Sequence, residues 1–356
     1  MDRRDESRPT RQSRPQRTTN MYAAMGVPKM KRRAWLGLLL LLAATAIAAP
    51  APQPTEGFVT VEQGVELYYV KVGSGAQTVI LPARLFTFED FRWLAGRYTL
   101  ISYDMRNRGR SSRVEDLARI SLAADVADLE AIRRHFGVDK PHLIGYSYLG
   151  LMVMLYALDH PQHVERIVQL GPVPLKFGTE YRPEYVATDR QEVIDRHGGA
   201  RLRELRRSNY HTTQPRAYCE EEWRVVSFML VGNPDRVDRL GSGPCEMPNE
   251  WPVNLARHLE RHFVGSVQKL DVPRERFARL QIPVLTVHGT SDRNAPYGAG
   301  REWAHLLPDA RLVVLQGAAH QAFAERPEVV RAAVDEFLQG KWPATAEQVT
   351  TDPRKL

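Results

Sequence analysis

From Phe58 to Val72 apolar and polar residues alternate (FVTVEQGVELYYVKV), with a break at Gln63-Gly64, and this period of two predicts a hairpin of half-buried strands. Two short apolar runs follow. TVILP (Thr78–Pro82) and YTLISYD (Tyr98–Asp104) read as buried strands, with a short helix over Phe88–Ala95 between them. Ser121 stands as an N-cap ahead of Leu122, Val126, Leu129 and Ile132, which share one face of a helix ending near Gly137. PHLIGYS carries the next strand, a helix runs from Tyr148 to about Leu158, and VERIVQLG (Val164–Gly171) is another strand. Strand and helix alternate, so the expected class is α/β, a mostly parallel central sheet with helices on both faces.

The alternation then stops. Residues 173–279 are polar, Arg-rich and helix-biased, and strands return only with IPVLTVHG (Ile282–Gly289) and ARLVVLQG (Ala310–Gly317), before a last helix over Pro327–Leu338. A structureless loop of that length does not fit a compact domain. Residues 173–279 are therefore expected to form a helical cap inserted before the last two strands. The core would comprise residues 50–172 and 280–340, and residues 341–356 a C-terminal tail.

Charge changes this picture only at the N-terminus. The net charge of +7 resides in residues 1–33, and everything after them sums to zero. The folded body thus needs no anionic partner, and no nucleic acid is expected. Within residues 1–49, an Arg-, Pro- and Ser-rich start lacks any core-forming pattern. Lys29, Lys31, Arg32 and Arg33 then precede a mostly apolar run, residues 34–49, with Ala44, Ala46 and Ala48 near its end. A basic stretch, a short apolar core and small residues at the exit describe a secretory signal peptide. The run is shorter than the ~20 residues a bilayer span needs. Export to the periplasm or exterior is the expectation, with an uncleaved anchor at residues 34–49 as the alternative and the one membrane contact foreseen. Cys219 and Cys245 are the two cysteines. They would form a disulfide in an oxidising compartment, or remain two buried thiols.

Candidate chemistry gathers at the ends of strands. LIGYSYLG places Ser147 at a strand-to-helix junction, VHGTSDRNAP places Asp292 just past a strand, and QGAAHQAF places His320 just past the next. Acyl transfer requires a hydroxyl on such a turn, an imidazole base, a carboxylate to orient it and N–H donors for the oxyanion. Taken singly, each of the three residues is an ordinary turn or loop residue; together, in the order Ser, Asp, His, they form a set. No His/Cys/Asp/Glu cluster has metal-ligand spacing and no phosphate-cradling glycine motif occurs, so neither a metal nor a cofactor is expected.

GYSYLG, the VHGTSDRNAP and GAAHQAF pair, and SYDMRNRGRSS (Ser102–Ser112) resemble the α/β-hydrolase superfamily of esterases, peptidases and epoxide hydrolases, over Gly57 to Gly340. The cap placement and AYCEEEW are similar to proline-iminopeptidase-like members. The resemblance implies a serine hydrolase that cleaves a carboxylic ester or amide through an acyl-enzyme on Ser147, with His320 as base and Asp292 orienting it. Superfamily members with an aspartate nucleophile, such as epoxide hydrolases and haloalkane dehalogenases, are less similar. It further implies oxyanion donors at the backbone N–H groups of Tyr148 and, by position, Arg84. Glu220, Glu221 and Glu222 could meet the free amino terminus of a peptide, as acidic cap residues do in proline-iminopeptidase-like enzymes, or form a solvated helix face. The expected partner is a small ester, amide or short-peptide substrate. The sequence departs from the family pattern at three points. Leu149 stands where the serine motif has glycine and is expected to displace the following helix rather than abolish it. Pro82-Ala83 replaces the usual His-Gly, and Asn107 replaces a glycine. An aminopeptidase, an acyltransferase and a non-catalytic binding module on the same fold are the alternatives.

Overall fold

The computed structural model describes residues 53–355. The expected signal or anchor segment, residues 34–49, and the rest of 1–49 lie outside the described residues. Among the described residues no helix is long and apolar enough to cross a membrane.

Among the described residues nine strands form one sheet. They are β1 (Thr55–Glu62), β2 (Val65–Val72), β3 (Thr78–Pro82), β4 (Thr99–Tyr103), β5 (His142–Tyr146), β6 (Arg166–Leu170), β7 (Val284–Gly289), β8 (Ala310–Leu315) and β9 (Ala346–Glu347), in the spatial order β1-β2-β4-β3-β5-β6-β7-β8-β9. The pairings from β4 to β8 are parallel; β1, β2 and β9 add antiparallel pairings at the two edges. Every residue of β5 and β7 is buried, as expected of parallel strands covered on both faces. One core cluster packs α2 (Leu122–His135) and α3 (Tyr148–Asp159) on one face, and a second packs the other face.

The hairpin, β3 and the last helix lie where the hydrophobic pattern put them, and Ser121 Oγ accepts the Ala124 N–H as the cap of α2. Two expectations need correction. The first helix begins not at Phe88 but at Arg84: α1 (Arg84–Phe91) starts directly after β3 because Ala83 turns the chain in the left-handed region, and a 3₁₀ turn extends it to Gly96. Residues 341–356, expected as a C-terminal tail, contain a further strand. β9 pairs with β8, so three strands rather than two follow the insertion, and Trp342 packs on Phe337 with ring centroids 5.0 Å apart. Two residues of strand carry no readable alternation.

Between β6 and β7 the described residues form helices and turns only: α4 (Arg190–Arg196), α5 (Gly199–Arg207), α6 (Tyr210–Thr213), α7 (Pro215–Leu230), α8 (Pro252–Leu259) and α9 (Arg274–Phe277), with one isolated bridge from Tyr181 to Arg354. Cys219 of α7 and Cys245 form a disulfide with Cα atoms 5.7 Å apart. After β7 come α10 (Tyr297–Leu306), α11 (Ala322–Glu325) and α12 (Pro327–Leu338).

Candidate active site

Ser147 lies between the last residue of β5 and the first of α3, with φ 58° and ψ −126°, a region that non-glycine residues rarely adopt. Such strain persists only where the surroundings fix it. The Ser147 N–H donates to Leu170 O at 2.9 Å, and the Ser147 carbonyl accepts from the N–H groups of Gly150 and Val173. The turn is so tight that a Cβ on Gly145 would lie 2.3 Å from Leu149 O. Leu149 does not abolish the helix, which begins at Tyr148; its own side chain is buried in the core on that face. The close approach is supplied instead by Gly145 and by Gly150, whose added Cβ would meet Pro172 at 3.0 Å.

The structure brings the other two residues to this serine. His320 Nε2 lies 3.0 Å from Ser147 Oγ, and His320 Nδ1 lies 2.7 Å from Asp292 Oδ2. Asp292 follows β7 and is 1% exposed. Its Oδ1 accepts the N–H groups of Asn294 (2.8 Å) and Ala295 (2.9 Å), which leaves Oδ2 to face the imidazole. Burial pushes the Asp292 carboxyl up, but His320 and His288 outweigh it and hold it below the usual carboxylate range. The ring of Tyr146 packs on that of His320 with centroids 4.8 Å apart. Below this loop the buried Glu325 carboxylate accepts from the N–H groups of Ala319, Gly232 and Asn233, tying the His320 loop to the end of α7.

Arg84 and Tyr148 are the first residues of α1 and α3, so neither N–H has a partner within its helix. Ala83 takes φ 63° and ψ 51°, the conformation a glycine would adopt without cost, so alanine supplies this turn at ~1–2 kcal/mol of strain. Asn107 likewise takes φ 59°. Its side chain also closes the loop, accepting from Val114 N–H at 2.6 Å and donating to Val114 O at 3.2 Å.

Ser147 and His320 open on a cavity of about 220 Å³. Its wall is largely apolar, with Ala83, Leu85, Phe86, Met105, Leu149 and Leu230 among its lining residues. The glutamates expected there are elsewhere. Glu220 pairs with Arg216 and Glu221 with Arg224 on exposed faces of α7, and Glu222 faces a separate pocket beside Arg206 and Tyr218. Two acids do line the cavity: Asp104, paired with Arg84, and Glu250, side chain 1% exposed, bound by Arg108 from the turn after β4. Glu250 and Arg108 are 142 positions apart, and no spacing rule links them.

Residues 87–327 match the profile of the family described as alpha/beta hydrolase fold. The chain belongs to this family. It is 25% identical over 273 residues to a proline iminopeptidase of Levilactobacillus brevis, covering 74% of this chain and 86% of that protein. It is 24% identical over 296 residues to a bifunctional esterase/perhydrolase of Acinetobacter calcoaceticus, covering 80% and 99%. A solved 2-hydroxy-6-oxo-6-phenylhexa-2,4-dienoate hydrolase from Rhodococcus shares the fold, with a TM-score of 0.61 at 17% identity, covering 81% of this chain and 100% of that one.

Sequence reasoning about this α/β-hydrolase overlooked one further neighbour of Asp292, His288. It is fully buried at the end of β7, and its Nε2 lies 3.2 Å from both Asp292 Oδ2 and Ala295 O. Its Nδ1 is buried without a partner, so the ring proton is assigned to Nε2. The four-residue spacing from His288 to Asp292 was the available signal.

Proposed function

We propose that this α/β-hydrolase cleaves a carboxylic ester or amide through an acyl-enzyme on Ser147. The observation that carries this reading is the continuous chain from Ser147 Oγ through His320 to Asp292, at 3.0 and 2.7 Å, on a strained elbow. His320 Nε2 takes the Oγ proton as the oxygen attacks the carbonyl carbon. The N–H groups of Tyr148 and Arg84 hold the tetrahedral oxyanion, each worth ~3 kcal/mol of barrier. Collapse expels the alcohol or amine, protonated by His320, and water then repeats the sequence on the acyl-enzyme. Asp292, ionised and hydrogen-bonded to Nδ1, keeps the imidazole in the productive tautomer throughout. The helical insertion acts as a cap that closes the cavity and selects substrate.

The test is labelling of the described body with a fluorophosphonate probe beside Ser147→Ala and His320→Ala. Labelling that requires both residues supports the reading; a folded protein that never labels favours a binding module. Export is the proposed destination, supported by the basic and apolar N-terminal sequence and by a disulfide that needs an oxidising compartment. N-terminal sequencing of the protein recovered from cell fractions distinguishes cleavage from anchoring.

A further inference from the structure

We propose that Arg108, held by Glu250, is a hydrogen-bond donor subsite that reads a neutral amide carbonyl of the substrate away from the scissile bond. This inference rests on the serine-hydrolase reading above and names its substrate class.

Both residues line the same cavity as Ser147 and His320. A buried ion pair in a largely apolar wall is costly and needs further hydrogen bonds to persist. Here the carboxylate is fully occupied. Glu250 accepts Arg108 Nε at 3.0 and 3.1 Å, Arg108 Nη2 at 2.7 Å and the Gly109 N–H at 2.8 Å. It has nothing left to offer a ligand ammonium. Glu220, Glu221 and Glu222 lie outside the cavity. Asp104 lines it, but its Oδ2 is taken by Arg84 and the Arg110 N–H and its Oδ1, without a partner, is itself buried, so no exposed carboxylate oxygen is offered to a free amino terminus.

Arg108 is not fully occupied. Nε and Nη2 face Glu250, while Nη1 has no acceptor among the described residues. The guanidinium is fixed in direction, held by the bidentate carboxylate and lying 5.4 Å from the centroid of the Phe86 ring. An arginine can only donate. Tyr148 lines the same cavity, and its hydroxyl also has no acceptor among the described residues; burial keeps that phenol protonated, a second donor. The subsite is therefore a donor pair, suited to an acceptor on the ligand.

Charge balance selects the kind of acceptor. Arg108 is neutralised by Glu250, and the neighbouring Asp104 is paired with Arg84 at 3.0 Å. A ligand carboxylate would meet no surplus positive charge and would lie near two buried carboxylates. A neutral carbonyl takes the same hydrogen bonds without that repulsion, and an amide oxygen is the strong acceptor among neutral carbonyls.

The experiment compares p-nitrophenyl esters of butyrate, N-acetylalanine, alanine with its free amine, and succinic acid with its free carboxylate. One hydrogen bond from a charged donor predicts about tenfold or more in kcat/KM for N-acetylalanine over alanine. Arg108→Met alone would strand Glu250, so the informative variant is Arg108→Met with Glu250→Met, which removes both charges at similar volume. In that variant the N-acetylalanine-to-butyrate ratio should fall by about tenfold. Preference for the free amine or the carboxylate overturns the proposal, as does a ratio unmoved by the double substitution. A second arm needs no turnover. N-acetylalaninamide is titrated by ligand-observed NMR against Ser147→Ala, with and without the double substitution, and about tenfold weaker binding is expected with it; equal binding overturns the subsite. If the protein never labels with a fluorophosphonate, the hydrolase reading fails while this arm still decides the subsite.

Discussion

His288 offers a test of the proposed triad's electrostatics that leaves Ser147, Asp292 and His320 in place. Its Nε2 reaches Asp292 Oδ2, the same oxygen that accepts from His320 Nδ1, at 3.2 Å against 2.7 Å. A hydrogen bond to a charged group is worth ~1.5–3 kcal/mol. The longer distance and the sharing of Nε2 with Ala295 O place this one at the lower end, about 1.5 kcal/mol. That corresponds to about one pH unit of differential interaction. Without this donor, Asp292 is less neutralised and holds a protonated His320 more strongly. The other groups near this pair are the tyrosines: Tyr297 edge-on to His288 at 5.9 Å, and Tyr146 against His320. His288→Phe is therefore expected to move the acid limb of the kcat/KM profile upward by about half to one pH unit. His288→Gln, which keeps an N–H donor, should return it most of the way. The assay is hydrolysis of a p-nitrophenyl ester from pH 5 to 9, beside the thermal midpoint of each variant. If His288→Phe lowers the midpoint but leaves the limb in place, His288 is a packing residue and the reasoning is wrong.

Three other outcomes follow from the same geometry. His142 and His258 are buried, and burial pushes them down to about 4 and about 3, with His262 and Arg108 also lowering His258. The unfolded chain gains these protons below about pH 6.5, so stability should be full above that and fall on acidification by ~1.4 kcal/mol per pH unit for each histidine. Urea midpoints between pH 7 and 5 should show this slope, and His142→Phe should reduce it; an unchanged slope counts against the assignment. The disulfide closes a loop with a sequence separation of 26, for which loop-closure entropy gives about 3.5 kcal/mol. Reduction with a thiol should lower the melting midpoint, whereas an unchanged melt would mean the bridge is not formed in solution. Gly145→Ala drives a Cβ into Leu149 O and should abolish fluorophosphonate labelling, with at least ~2 kcal/mol lost in stability; retained labelling would show that the elbow can open.

Much of the fold was legible because parallel strands buried on both faces read as short apolar runs, and the turns between them are marked by glycine and proline. β3 and α12 could be bounded to the residue for that reason. Ser147, Asp292 and His320 could be singled out because each stands at or within a few residues of the carboxyl end of a strand. What escaped was set by tertiary approach. Glu250 meets Arg108 only because the insertion folds back over the turn after β4, and its local sequence, PNEWP, gives no hint of this. Of the two readings of the run Glu220–Glu222, contact with an amino terminus or a helix face, the second describes Glu220 and Glu221, because consecutive helical residues point about 100° apart and cannot converge on one ligand. Ala83, standing where the family pattern has glycine, still adopts a left-handed turn, since β3 and α1 fix the chain on either side.

The C-terminal residues have a consequence for the order in which the molecule is completed. Arg182 N–H donates to Pro353 O, Lys355 N–H donates to Glu180 O, and Tyr181 bridges to Arg354. The first stretch of the insertion is thus fastened by residues made long after it. Core strands can pair while synthesis continues, but this fastening waits until residues 353–355 have emerged. Until then a nascent chain of this protein carries its insertion with one end still loose, and a segment made early is secured only when those later residues return to it.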